Sequence, residues 1–323
     1  MNGRVCVLGS FMMDLIARAP RRPRTGETLV GTGFGMHLGG KGVNQAVAAA
    51  RVGAEVAMIG RVGADDFGRR FLEALSTEGI DATHVGTDPD VGTGVGLPVV
   101  HPSGDNSIII VPQANSRVGV ADVTAAAEAI TAADVLVLQF ELPLETAVAA
   151  ARIAREAGTI VVLNPAPATT GTERLRGLVD HLLPNAGEAA ELSGVVTDGD
   201  DGRAAAAALR ASWGATGVIV TLGERGVLVV DDDGDRHVPA FDVVAVDTVG
   251  AGDAFAGGLA ARLAVGDDLD AAVAYARTVA ALSCTREGAV DAMPTAADVA
   301  AALAEADGHL AQGARIAQGV RIG

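Results

Sequence analysis

The sequence predicts an α/β protein: a mostly parallel sheet covered by helices on both faces, in three layers, with a small β-sheet lid beside one edge. Three observations carry this reading. From Val135 onward, short apolar runs alternate regularly with longer alanine-rich segments of helical character. The runs are apolar throughout rather than every second residue, as strands buried on both faces are. Two early stretches, 11–37 and 93–112, break the rhythm with prolines, arginines and hairpin-like patterning, and read as the lid.

In chain order, 5–8 is a buried strand that leaves through Gly9-Ser10. Residues 11–35 carry Pro20, Pro23 and patches such as Thr28-Leu29-Val30, and read as short, partly exposed strands and turns. Gly39-Gly40 opens a helix that runs to about Val52. A strand at 56–59 and a helix at 67–78 follow. Residues 95–100 and 107–111, joined by Pro102-Ser103-Gly104-Asp105, form a hairpin. A helix spans 121–131. Strands are then expected at 135–139, 160–164, 181–183, 218–222, 227–230 and 238–246. Helices are expected at 144–157, 185–192, 203–213, 254–264 and 269–283. Residues 1–294 form one domain; 295–323 form a C-terminal helix (296–306) and a tail poor in apolar residues.

Apolar residues make up 49% of the 323, enough for a large core. Twenty-four Lys and Arg against 40 Asp and Glu leave a net charge of −16. That balance opposes non-specific binding to nucleic acid or to an anionic membrane surface, though backbone N–H groups can still hold a phosphate locally. Cys6 and Cys284 sit in apolar segments without metal spacing, which suits a reducing cytoplasm. No apolar stretch is long enough to span a bilayer.

The most informative stretch is Val246-Asp247-Thr248-Val249-Gly250-Ala251-Gly252-Asp253. A Gly-Ala-Gly turn that opens a helix points bare N–H groups past the helix end, where the dipole favours negative charge. An acid at that place makes sense if it takes a proton from a hydroxyl while the N–H groups hold developing charge. A helix first-turn acid after a tight turn is the plainer alternative. Gly35 to Gly42 mimics a P-loop in spacing, but Gly42 stands where Ser or Thr should ligate Mg²⁺. Gly39-Gly40 with Lys41 and Asn44 on the first helical turn suits a polyhydroxylated ligand better. Asn185 and Glu188 are three apart on one helix face and could hold a hydrated Mg²⁺ or simply cap the helix. Thr221-x-Gly223-x-x-Gly226 reads as a hairpin turn that could line a nucleotide. Asp14 and Glu141 follow strands and are candidate hydroxyl binders.

In this order, Gly39-Gly40-Lys41-Gly42-x-Asn44, Asn185-x-x-Glu188, Thr221-x-Gly223-x-x-Gly226 and Asp247-Thr248-x-Gly250-Ala251-Gly252-Asp253 resemble the ribokinase family of carbohydrate kinases. Leu163-Asn164-Pro165-Ala166-Pro167-Ala168 and Thr285-Arg286-x-Gly288-Ala289 are similar to it as well. The resemblance covers nearly the whole chain. It implies phosphoryl transfer from Mg²⁺-ATP to a sugar hydroxymethyl, on an α/β sandwich that often dimerises through its lid. It implies Asp253 as base, with the N–H groups of Gly250, Ala251 and Gly252 as anion hole. Met12, Asp14, Gly40, Lys41, Asn44, Glu141 and Asp253 match sugar positions. Asn185, Thr221, Gly223, Gly226 and Gly252 match nucleotide positions, with Glu188 reaching Mg²⁺ through water. A K⁺ site is implied from Asp247 and main-chain oxygens of Val249, Ser283, Arg286 and Gly288; its last position is Ala292, which has no hydroxyl.

One residue departs from the pattern. Where the family usually carries Asn before the lid acid, this chain has Met12. A thioether cannot pair with a sugar hydroxyl near C2, and the swap resembles 2-deoxyribose kinases of this family. The expected substrate is D-ribose or 2-deoxy-D-ribose, with Met12 favouring the latter. Nucleoside or sugar-phosphate kinases of the family, and a non-catalytic sugar sensor on the same fold, remain alternatives. Arg18, Arg21, Arg22 and Arg24 read as solvated lid charge rather than a phosphate site.

Overall fold

The computed structural model describes residues 2–101, 106–195 and 202–306. The chain opens with β1 (Arg4–Leu8), β2 (Met12–Arg18), β3 (Gly33–Gly39), α1 (Lys41–Arg51) and β4 (Glu55–Gly63). Then come α2 (Asp66–Thr77), β5 (Asp81–Asp88), β6 (Gly94–Val100) and β7 (Asn106–Val111). α3 (Val120–Ala125), α4 (Ala127–Thr131), β8 (Val135–Leu138), α5 (Leu144–Ala157), β9 (Ile160–Leu163) and β10 (His181–Leu182) follow. The last part holds α6 (Ala186–Ser193), α7 (Arg203–Trp213), β11 (Gly217–Thr221), β12 (Val227–Asp231), β13 (Gly234–Val238), α8 (Ala251–Ala264) and α9 (Leu269–Ser283). A further helix, α10, spans 296–306.

Among the described residues the strands form two sheets. The large one has the order β13-β12-β11-β10-β9-β8-β1-β4-β5. Strands β5 through β11 in that order run parallel, and β12 and β13 turn back antiparallel at the edge. Its strands alternate between two cores, as a period of two requires. Val5, Val7, Val135 and Val137 face the core that includes α1, α8 and α9. Cys6, Leu8, Leu136 and Leu138 face the core that includes α5 and α7. Both faces are dry, so these strands read as unbroken apolar runs.

The second sheet is the lid, with order β3-β2-β6-β7. Antiparallel pairing joins β6 to β7, as expected of the hairpin, while its connection at 102–105 lies outside the described residues. The register puts Met12, Asp14 and His37 on the inner face and Leu15, Phe34, Met36, Leu97 and Ile109 on the outer one.

Several elements differ from the sequence reading, among them β5, which was not expected. The strand expected at 238–246 is absent: β13 ends at Val238, and 239–246 is irregular, with Val244 87% exposed. Pro239 cannot donate to a ladder and stops the strand. β13 itself is the return of a hairpin through Asp232-Asp233, a turn legible in the sequence but not assigned. The helix expected at 121–131 is two short ones, because the Ala126 N–H is shared between the Asp122 and Val123 carbonyls and tightens the turn.

Candidate active site

The site lies along the carboxyl edge of the parallel strands, where α/β sheets bind ligands. β11 delivers Thr221 and β10 leads to Asn185; the two form a parallel bridge. β9 delivers Asn164, β8 leads to Gln139 and Glu141, and β1 leads to Ser10 and the lid. These strands are neighbours in the order β11-β10-β9-β8-β1. At about 4.8 Å per strand the edge spans roughly 20 Å, long enough for a nucleoside triphosphate and a sugar end to end.

Asp253 sits over this edge on the first turn of α8. Gly250 caps that helix at φ +79°, in the left-handed region where a side chain is strained. The Ala254 N–H closes on the Gly250 carbonyl at 2.8 Å, the Ala251 N–H leans on the Thr248 carbonyl at 3.3 Å, and the Gly252 N–H has no acceptor among the described residues. The Asp253 carboxylate is 6% exposed. Its Oδ2 accepts from Asn44 Nδ2 at 2.8 Å and its Oδ1 from Gln45 Nε2 at 2.9 Å. Lys41 Nζ lies 3.9 Å from Oδ1. Asp253 raises the Lys41 pKa above its ordinary value against the opposing effect of burial, and Glu141 and Glu188 add to the rise. The ammonium therefore feels acids from both ends of the cleft. Asn44 Oδ1 is buried without a hydrogen-bond partner, an acceptor in want of a donor.

The α1–α8 approach that brings these groups together depends on small residues. A Cβ on Gly257 would stand 2.6 Å from the Ala48 Cβ and the Gln45 carbonyl. A Cβ on Gly42 would stand 2.5 Å from the Gly9 carbonyl carbon and the Ser10 nitrogen, so α1 begins directly against the exit of β1. Gly40, at φ +95°, turns the chain from lid to helix.

Asp14 projects from the lid strand β2 into a cradle of glycines: a Cβ on Gly96 would lie 2.2 Å from its Oδ1, and one on Gly39 2.5 Å from its Oδ2. Met12, two residues back on the same face, is 5% exposed. Glu141 accepts from the Lys41 N–H at 2.9 Å and from the Ser10 hydroxyl. Burial, then repulsion from Glu141, pushes the Asp14 carboxyl up to about 6, with His37 opposing. A carboxylate accepts from two hydroxyls only when ionised. If Asp14 receives hydroxyls of a ligand, the affinity for that ligand should fall as pH drops below about 6, and Asp14→Asn should flatten that fall; binding measured between pH 5 and 8 reads both. The sign for stability is opposite. A folded pKa above the unfolded value contributes stability that is present below the unfolded pKa and lost as pH rises through the folded one. Asp14→Asn should thus raise the melting temperature at pH 8 more than at pH 4, by the equivalent of about 1–3 kcal/mol.

At the other end, Asn185 and Glu188 form a reciprocal capping box. Asn185 Oδ1 accepts from the Glu188 N–H at 2.9 Å, and Glu188 Oε2 from the Asn185 N–H at 2.8 Å. Glu188 also acts electrostatically on Lys41 across the site. Gly223 and Gly226 both have positive φ, and a Cβ on Gly226 would meet the Val238 carbonyl at 2.2 Å. Asp247 joins two loops: its Oδ1 accepts from the Val249 N–H and its Oδ2 from the Gly288 N–H. Ala292 is buried and offers no side-chain oxygen. No cluster of three His, Cys, Asp or Glu able to hold a metal occurs among the described residues.

Sequence reasoning missed four polar groups at this site. Gln45, Gln139 and Asn164 are buried amides in line behind Asp253, and Ser10 anchors Glu141. Gln45 carried a signal, a polar residue on the apolar face of an alanine helix. His37 Nδ1 lies 3.7 Å from Asp291 Oδ2, a contact between lid and body.

A buried acid at a glycine-capped helix start, next to a lid, is the arrangement that the sequence resemblance implies for a carbohydrate kinase. The match to the family model for pfkB family carbohydrate kinases runs over residues 2–296, and the chain belongs to that family. It is 39% identical to the ribokinase of Haemophilus influenzae over 295 residues, 91% of this chain and 96% of that one. It is also 39% identical to the deoxyribokinase of Salmonella typhi over 292 residues, 90% of this chain and 95% of that one. The ribokinase of Arabidopsis thaliana in complex with ribose and ATP superposes with a TM-score of 0.86 at 28% identity, covering 94% of this chain and 99% of that one.

Proposed function

We propose that this carbohydrate kinase is an ATP-dependent pentose kinase that phosphorylates the 5-hydroxyl of D-ribose or 2-deoxy-D-ribose, with Met12 favouring the deoxy sugar. The observation that carries the reading is Asp253: buried, on the first turn of α8, and flanked by Lys41 and by Asn44 with its unpaired acceptor. Asp253 takes the proton of the attacking hydroxyl. The N–H groups at Gly250, Ala251 and Gly252 face the charge that develops on the transferred phosphoryl group. Asn44 Oδ1, Asp14, Lys41, Glu141 and the Gly40 backbone receive the sugar hydroxyls. The adenine nucleotide lies along Asn185, Thr221, Gly223 and Gly226. Relatives that carry ribokinase and deoxyribokinase names, and the ATP complex of one, support both ligands.

Mg²⁺ fits the donor set, because it keeps several waters and needs few protein ligands. Glu188 Oε1 would hold one of those waters; the ion would neutralise phosphate charge. K⁺ would lie at Asp247 and the main-chain oxygens of Val249, Ser283, Arg286 and Gly288, without a hydroxyl from Ala292. Residues 1–294 are the kinase domain in this reading, with 295–323 as appendage. The unpaired Cys6 and Cys284 suit a reducing cytoplasm. No helix among the described residues is long and apolar enough to cross a membrane.

A homodimer clasped through the lids accounts for the outer lid face, where Phe34 is 69% exposed, Ile109 65% and Met36 44%. Phe34→Asp with Ile109→Asp should turn a dimer into a monomer by light scattering; a monomeric wild type removes the clasp. The function itself is tested by ADP release with Mg²⁺-ATP, with and without K⁺, on ribose, 2-deoxyribose, nucleosides and fructose 6-phosphate. Turnover on neither pentose, or a preference for a nucleoside, sinks the reading.

A further inference from the structure

Behind Asp253 runs a line of buried amides that the proposed chemistry does not use directly. Gln45 is 0% exposed, Gln139 3% and Asn164 7%. Gln139 Nε2 donates to Gln45 Oε1 at 2.5 Å. Gln45 Nε2 donates to Asp253 Oδ1 at 2.9 Å and, with its second hydrogen, to Asn164 Oδ1 at 3.3 Å. Asn164 Nδ2 donates to the Leu183 carbonyl at 2.9 Å.

The polarity of this line is forced from its far end. A main-chain carbonyl only accepts, so the Asn164 NH₂ must face Leu183 and its oxygen must face Gln45. The Gln45 NH₂ must then face Asn164, which turns its other hydrogen to Asp253 and its oxygen to Gln139. A flipped Gln45 would set its oxygen against the Asp253 carboxylate and its NH₂ against the Gln139 NH₂. Two helices and three strands contribute to the line, so its geometry is rigid. Gly9 makes room for it: a Cβ there would lie 2.6 Å from Gln139 Oε1.

We infer that Gln45, oriented by Gln139 and Asn164, is a positioning residue that reserves Asp253 Oδ1 and so dedicates Oδ2 to the substrate hydroxyl. The inference rests on Asp253 as the base. Among the described residues Oδ2 has Asn44 as its hydrogen-bond partner, a residue on the substrate side whose own oxygen is unpaired, so that contact can rearrange when a hydroxyl enters. Oδ1 is tied through Gln45 to the buried amides at 2.9 Å, a direct hydrogen bond, whereas Lys41 Nζ stands off at 3.9 Å. With one oxygen pinned, the carboxylate plane is set before the sugar arrives, which is the form of preorganisation that raises kcat rather than affinity.

The test uses four variants of the full chain: Asp253→Asn, Gln45→Leu, Gln139→Leu and the Gln45→Leu/Gln139→Leu pair, with thermal melts to confirm folding. Removing a hydrogen bond to a buried charge should lower kcat of Gln45→Leu by about 10- to 100-fold, with sugar KM and ATP KM within about threefold. Gln139→Leu should give a smaller loss of the same kind, and the pair should lose little more than Gln45→Leu alone, because both act along one path. In the Asp253→Asn background Gln45→Leu should change nothing further. Should Gln45→Leu fail to fold, Gln139→Leu carries the test through the same kcat split. An inactive Asp253→Asn beside a Gln45→Leu that keeps kcat within twofold, or that loses only KM, overturns the inference and leaves the base intact. An active Asp253→Asn overturns the base itself.

Discussion

Asp253→Asn is expected to lower kcat by about 100- to 10,000-fold while sugar KM stays within a few-fold, the range a general base contributes. The change is isosteric, so α8 and its glycine cap keep their shape. It removes the proton acceptor and the negative charge together. Both Asp253 oxygens now accept from amides, at 2.8 and 2.9 Å, and an Asn can present only one acceptor to that pair. Part of the loss will therefore be misorientation rather than missing basicity. Asp253→Ala, which removes the group without a clash, separates the two: a kcat similar to that of Asp253→Asn assigns the loss to basicity. Coupled ADP release gives kcat for each. Activity within tenfold of wild type in both would end the assignment of Asp253 as base.

Met12→Asn is expected to move the kcat/KM ratio of ribose over 2-deoxyribose towards ribose by about 10- to 100-fold. An unpaired buried hydroxyl costs about 1–3 kcal/mol, and each 1.36 kcal/mol is tenfold. The shift in ratio rests on the proposed place of the thioether in the sugar wall. Met12 lies two residues from Asp14 on the inner lid face, and its Cγ is 3.6 Å from where a Gly96 Cβ would be. Asn at this place would bring a donor and an acceptor to a wall that now offers neither. Kinetics of both enzymes on both sugars read the ratio; a wild type that strongly prefers ribose removes the deoxyribose preference, and an unchanged ratio removes Met12 from the sugar wall.

Much of this arrangement was legible in the sequence, and the gaps have physical causes. Helices with a Gly or Asp boundary and an alanine body, such as 203–213 and 269–283, fell where expected. So did the strands with two dry faces, because burial leaves no polar residue to blur them. β5 was not seen, because its residues are polar and half exposed at a sheet edge, where pattern carries little information. The stretch 238–246 misled because its valines are apolar yet lie in solvent, and the stop at Pro239 was passed over. At the site, the residues that form contiguous motifs could be read, and the structure brings Lys41, Asn44 and Asp253 together over 209 positions of chain. Gln139 could not be read, since a lone amide at a strand end says nothing until its partner on another element is known, and Asn164, though part of a quoted motif, carried no sign of its partner Gln45.

The lid bears on affinity in a further way. Asp14 belongs to the small sheet, whereas Lys41, Asn44 and Asp253 belong to the body. In the proposed reading a sugar would bond both, so its affinity would depend on how the small sheet is held against the body as well as on the groups that touch it. The His37–Asp291 contact, at 3.7 Å, also spans lid and body. In that reading sugar affinity belongs to the seating of the lid as much as to the pocket, and it would drift through substitutions that never touch the sugar.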